Sequence, residues 1–202
     1  MIVDLSVVIN EQTPVYPGDP ATKIEPAGIL AKDGYNDHYI SLGTHVGTHV
    51  DAPLHMLEGG ASLDKLPIVQ FVGNGRLVEV SSTGFDSVKS AGIREGDIVL
   101  FRTGMSDKYH DPAYFEDYPV MSEEVAKYLV EAKVKMVGVD TCSVDNQDSF
   151  PIHKILLASN VLIIENLTNL NQLTGKDFIV YALPLNLQID GSPARVIAEI
   201  KE

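Results

Sequence analysis

The chain has no tryptophan and one cysteine, and only 15 lysines and arginines stand against 28 aspartates and glutamates in 202 residues. Each shortage excludes something. A lone thiol, Cys142, cannot form an internal disulfide, which fits a reducing compartment. A formal net charge of −13 repels polyanions over most of the surface, so neither nucleic acid nor an anionic membrane is expected as a partner. No apolar run approaches the ~18 residues that span a bilayer. Met1-Ile2-Val3-Asp4-Leu5-Ser6 lacks the basic start and long apolar core of a secretion signal. A soluble, cytoplasmic protein is expected. A small anionic substrate stays compatible with the charge, because a buried dication reverses the field locally.

Repeats, low-complexity tracts and linkers are also missing. At 45% hydrophobic and 21% charged residues the chain can bury a proper core, and residues 1–202 are expected to form one domain. Strands are expected at residues 2–9, 38–44, 97–102, 135–139, 161–164, 178–183 and 195–200, where β-branched and apolar residues concentrate. Gly73-Asn74-Gly75 between the apolar runs 68–72 and 76–80 predicts a hairpin. Residues 85–91 suit a short helix stopped by Gly92. Ser122 is placed to cap an amphipathic helix running to residue 134, and Pro151 to open a short helix carrying His153. Asp190-Gly191-Ser192-Pro193 has turn composition. Strands outnumber helices without regular alternation, which predicts an α+β domain or a closed sheet with attached helices. Residues 103–120 carry Tyr109, Tyr114, Phe115 and Tyr118 with no sustained period, and are a candidate lid.

The chemistry concentrates in His45-Val46-Gly47-Thr48-His49-Val50-Asp51-Ala52-Pro53-Leu54-His55. Odd positions carry His, Gly, His, Asp, Pro and His, and even ones are mostly apolar. In an extended segment the two sets face opposite sides. A straight strand would still hold His45 and His49 about 13 Å apart, so Gly47 and Pro53 are expected to bend it. Imidazole and carboxylate suit Zn²⁺ and harder ions such as Mn²⁺. The alternatives are hydrogen-bonded loop histidines or a structural clip; a clip favours closed, cysteine-rich coordination, and no cysteine lies here. Glu165 follows four aliphatic residues and needs a charge partner: a dication, an arginine or backbone amides. His153 is the other distant candidate donor. His110 stands alone and is expected on the surface. Thr44 and Thr48 either orient ligands or satisfy backbone. Tyr16, within the turn chemistry of residues 13–20, is either a loop anchor or a wall of the substrate pocket.

HVGTHVDAPLH, followed by DTCSVD and PIHKILLASNVLIIENLTNL and bracketed by TPVYPGDP and DGSPAR, resembles the metal-dependent cyclase/hydrolase family that includes bacterial kynurenine formamidases. The resemblance spans nearly the whole chain. It implies an α/β fold with a central barrel-like β-rich sheet and peripheral helices, a homodimer or tetramer, and one or two Zn²⁺ per subunit or Mn²⁺. It assigns one metal to His45, His49, Asp51 and Glu165, a second to Asp51, His153 and Glu165, and proton transfer to His55. A substrate-contacting tryptophan is usual at the position of Tyr16. The implied activity is hydrolysis of an aryl formamide such as N-formyl-L-kynurenine. The alternative is opening of a cyclic amide such as isatin at a single Mn²⁺, and a non-catalytic metal-stabilised binding protein is a third reading.

Overall fold

A computed structural model describes residues 1–80 and 85–201. In chain order the strands are β1 (Ile2–Asp4), β2 (Lys23–Gly28), β3 (Asp37–Ser41), β4 (His49–Asp51), β5 (Val72–Glu79), β6 (Ile98–Arg102), β7 (Met136–Val139), β8 (Leu162–Glu165), β9 (Phe178–Pro184) and β10 (Gly191–Ile200). The helices are α1 (Leu30–Asp33), α2 (Glu123–Glu131) and α3 (Pro151–Ala158). Strands β5, β6, β7 and β8 are parallel neighbours. β8 pairs with β4, β4 with β10, β10 with β9 and β9 with β5, all antiparallel, so the mixed sheet closes into a seven-strand barrel. β1 attaches along β10, and β2 and β3 form a separate hairpin.

The parallel strands are apolar on both faces, as strands covered on both sides must be. Alternate residues go to different cores: Ile98, Leu100, Leu162 and Ile164 meet Val180, Ala182, Val196 and Ala198 inside the ring, whereas Val99, Phe101 and Ile163 pack against Val125, Leu129, Ile152 and Leu156 of α2 and α3. Ser122 caps α2, its hydroxyl accepting from the Val125 amide at 3.3 Å, and Pro151 occupies the first turn of α3. No helix of the described residues is long and apolar enough to cross a membrane.

Several expectations need correction. Gly73-Asn74-Gly75 makes no hairpin. β5 runs straight through it, Val72–Asn74 pairing with β9 and Gly75–Glu79 with β6, while residues 68–71 form a 3₁₀ turn. Gly75 is there for room: a Cβ on it would lie 1.9 Å from Cε2 of buried Phe178. Gly75→Ala is therefore expected to destabilise the fold by about 1–3 kcal/mol through overpacking, read as a lower urea midpoint, and trimming Phe178 to leucine should recover part of the loss. The first strand stops at Asp4, with one further bridge between Ser6 and Leu167. Gly191, Ser192 and Pro193 belong to β10 rather than to a turn.

Residues 103–120 are not a free flap. They form two 3₁₀ turns around Tyr114, fully buried, whose hydroxyl donates to Asn166 Oδ1 at 2.8 Å. The Tyr118 hydroxyl donates to the Asp145 carbonyl at 2.6 Å. Tyrosines with an apolar body and a satisfied polar tip pin the segment to the barrel.

Candidate metal centre

The site sits where β4 and β8 lie side by side. Their antiparallel register places His49 opposite Glu165 and Asp51 opposite Ile163, so His49, Asp51 and Glu165 project from one face of the sheet. The two expected bends are present. Gly47 has φ +63, a left-handed conformation that favours glycine, and it returns the His45 ring to 5.1 Å from that of His49. Pro53 starts a 3₁₀ turn through His55, which brings the His55 ring to 3.9 Å from that of His45. Val46, Val50 and Ala52 are buried as alternation predicts. Leu54 is not: the turn has replaced extended geometry, and the side chain is exposed.

Asp51 and Glu165 each offer their two oxygens in different directions. Asp51 Oδ1 lies 2.8 Å from His45 Nδ1 and 3.3 Å from His49 Nε2, while Oδ2 faces His153 Nε2 at 3.7 Å. Glu165 Oε2 lies 3.5 Å from His49 Nε2 and Oε1 3.3 Å from His153 Nε2. The structure thus brings His45, His49, Asp51, His55, His153 and Glu165 to one place, His153 arriving from the first turn of α3. The far nitrogen of each ring is held: His45 Nε2 by Asp190 Oδ2 at 2.8 Å, His49 Nδ1 by the Gly47 carbonyl at 2.8 Å and His153 Nδ1 by Asp145 Oδ2 at 2.8 Å. A hydrogen-bond acceptor on one imidazole nitrogen fixes the tautomer and frees the other nitrogen for a metal.

Two polar atoms in this cluster are buried with no hydrogen-bond partner, His49 Nε2 and Asp51 Oδ2. Orphaned buried polar atoms are costly. A divalent cation is the natural partner for a set of imidazole nitrogens and carboxylate oxygens that converge in this way, so the residues fit the metal.

The protonation pattern without an ion agrees. Burial opposes the charged form of His49, but Asp51 and Glu165 outweigh it and lift the imidazole to about 10. His153, likewise opposed by burial, reaches about 10 beside Asp145 and Glu165. Burial disfavours the carboxylate of Asp51, yet His49 and His45 hold it well below the ordinary range, and Glu165 is lowered against its burial by His153 and His49. His55 goes the other way, lowered by burial together with the positive charge of His45 and His153.

Protons therefore occupy the places of an ion, and a metal must displace them. Below about pH 10 His49 and His153 hold protons in the metal-free site, so metal loading near neutrality is expected to release roughly one proton per imidazole engaged. Affinity should weaken as pH falls, by about tenfold per pH unit for each proton displaced. Calorimetric titrations in buffers of different ionisation enthalpy measure that release, and a value of zero would show that the metal-free imidazoles carry no proton to displace.

A cleft of about 210 Å³ opens onto these groups, lined also by Tyr16, Asp19, Met56, Cys142, Ser143 and Phe150. Tyr16 lines this cleft and also packs within the protein, its ring edge-on to Phe115 with centroids 6.2 Å apart. Burial pushes the Cys142 thiol up to about 12, so it is a neutral wall and not a nucleophile. His110 is exposed on the surface. Thr48 satisfies backbone, accepting from the Val7 amide and donating to the Asn166 carbonyl, while the Thr44 hydroxyl donates to Asp190 Oδ2 at 3.4 Å.

Asp190, Asp145 and Asn166 went unrecognised in the sequence. Asn166 Nδ2 donates at 3.0 Å to the same Gly47 carbonyl that holds His49. Asp145 receives the His153 and Ile152 amides at 2.9 and 3.1 Å, anchoring the start of α3. The one available signal was the concentration of small polar residues at 140–145, directly after β7.

The sequence matches the Cyclase family, described as "Putative cyclase", over residues 3–146. An uncharacterised protein of Methanocaldococcus jannaschii is 36% identical over 186 residues, covering 91% of each chain. A kynurenine formamidase of Salinibacter ruber is 32% identical and covers 100% of this chain and 97% of its own. Among solved structures, a potential metal-dependent hydrolase with cyclase activity superposes with a TM-score of 0.84 at 32% identity, covering 100% of this chain and 98% of the other. An isatin hydrolase bound to the product analogue thioisatinate superposes with a TM-score of 0.87 at 25% identity, covering 99% and 92%.

Proposed function

The chain belongs to the Cyclase family, and from that premise we propose that it is a metal-dependent hydrolase that cleaves the C–N bond of an aryl amide. The supporting observation is the pair of buried carboxylates, Asp51 and Glu165, each turning one oxygen towards His49 and the other towards His153. His45, His49, Asp51 and Glu165 would hold one Zn²⁺ or Mn²⁺, and Asp51, His153 and Glu165 a second. An ion there lowers the pKa of bound water towards ~7 and polarises the scissile carbonyl.

The chain's own groups do the rest. Nδ1 of His55 faces Asp190 at 3.6 Å, which leaves Nε2 to take a proton from the attacking water and return it to the leaving nitrogen. Burial, with the positive charge of His45 and His153, lowers the pKa of His55, which favours the neutral ring that can accept a proton. Tyr16 and Phe150 supply aromatic surface for an aryl ring, and Met56 and Cys142 keep that wall apolar.

The leading substrate is an aryl formamide such as N-formyl-L-kynurenine, the compound class named by relatives such as the Salinibacter ruber enzyme. One observation favours opening of a neutral lactam such as isatin: among the described residues lining the cleft there is no lysine or arginine to pair with a substrate carboxylate. The test assays zinc- and manganese-loaded protein, with metal content quantified, against N-formyl-L-kynurenine, an uncharged aryl formamide and isatin. Turnover of isatin without either formamide selects the lactam reading, and loaded protein that hydrolyses none of the three sinks the proposal.

A further inference from the structure

We propose that Asp190 is a positioning residue that sets both the metal-binding ring of His45 and the proton-carrying ring of His55; the inference rests on the hydrolase reading above. Asp190 ends the segment before β10, and its Oδ2 lies 2.8 Å from His45 Nε2 and 3.6 Å from His55 Nδ1. The two rings are neighbours, with centroids 3.9 Å apart and planes inclined by 33°. A single carboxylate oxygen thus stands at the outer nitrogen of each ring.

The consequence is chemical. With Nε2–H of His45 donated to Asp190, Nδ1 is the nitrogen turned to Asp51 Oδ1 at 2.8 Å, donating there in the metal-free site and free to bind an ion once that proton is displaced. With Nδ1–H of His55 directed at the same oxygen, the lone pair on Nε2 is the one available to substrate. A contact of 3.6 Å is loose, as proton-transfer geometry commonly is before substrate binds.

The backbone shows that Asp190 is held for this place. Its carbonyl accepts from the Ala52 amide at 2.8 Å, which ties it to the residue after β4. The next position admits no side chain, because a Cβ on Gly191 would lie 2.6 Å from Cε1 of His45. The Cε1–Nε2 edge of His45 therefore packs against the entry to β10, where Asp190 accepts from Nε2.

Asp190→Asn in the zinc-loaded, full-length protein tests this. The amide oxygen can take the place of Oδ2 but carries no charge, so both contacts lose the charge assistance that strengthens them. Zinc affinity, read by chelator competition, is expected to fall about 10- to 100-fold, the usual cost of losing the partner of a ligating histidine. At saturating zinc kcat is expected to fall at least about tenfold with KM within twofold of the parent. In a His55→Ala background the zinc effect should persist and the kcat effect vanish, since two changes acting through one group do not add.

Parental zinc affinity in Asp190→Asn overturns the His45 half, and parental kcat at saturating zinc overturns the His55 half. Should the Asn variant fail to fold, Asp190→Glu moves the same acceptor by one methylene; smaller losses in both readouts are then expected, and parental values in both overturn the proposal. A parent protein without amide turnover would refute the hydrolase reading and leave the zinc-affinity arm standing.

Discussion

His55→Ala is expected to lower kcat by about 10²–10⁴-fold while metal content stays at the parental value. The argument rests on where the ring sits. His55 comes from the 3₁₀ turn after β4, with its ring 5.7 Å from that of His153 and 3.9 Å from that of His45. Among the described residues its one carboxylate contact within ion-pair distance is that to Asp190 at 3.6 Å, whereas His49 and His153 face both Asp51 and Glu165. Deleting the ring removes the proton carrier and leaves the ion's oxygen and nitrogen donors in place. Elemental analysis and steady-state kinetics on one preparation check the split. Parental turnover would remove His55 from the reaction, and a matching loss of metal would reassign it to the ligands.

Glu165→Gln should have the larger structural effect. Glu165 is buried at the end of β8; its Oε1 accepts the Val144 amide at 3.1 Å, and its two oxygens face His49 and His153. Removing its charge takes one bridging ligand from both candidate metal positions, so bound metal and turnover should both fall to background. In metal-free protein the change removes one of the carboxylates that raise His49 and His153, leaving Asp51 beside both rings and Asp145 beside His153. Breaking a buried ion pair on one side costs about 3–5 kcal/mol. Denaturant unfolding of the chelator-treated parent and variant measures that cost, and equal midpoints together with full metal content would exclude Glu165 from the cluster.

Why some of this was legible in the sequence and some was not follows from the range of the interactions. The convergence of His45, His49 and Asp51 could be anticipated because period-two alternation and two bend-forming residues act within eleven positions. Glu165 stood out as an acid closing an aliphatic run, and His153 followed a proline that could begin a helix. Asp190 gave no such sign: an aspartate before glycine has the composition of any turn, and its contact with His45 spans 145 positions. The same blindness produced the false hairpin at Gly73-Asn74-Gly75, where Gly75 answers to Phe178, far along the chain. The aromatic segment at 103–120 looked loose because the acceptors of its tyrosine hydroxyls, Asn166 and the Asp145 carbonyl, are invisible in a local window.

The closure of the sheet through β9 and β10 also bears on how copies of the chain can meet. A ring of seven strands has no end strand for another molecule to extend. The end strands of the described sheets are β1, three residues long, and the two strands of the β2–β3 hairpin. That hairpin carries the features that discourage strand addition: Pro26 without an amide hydrogen, a register shift between Pro26 and Gly28, and charged Lys23, Glu25 and Asp37. Association by continuing the sheet is therefore disfavoured, and contacts between copies fall to side-chain surfaces.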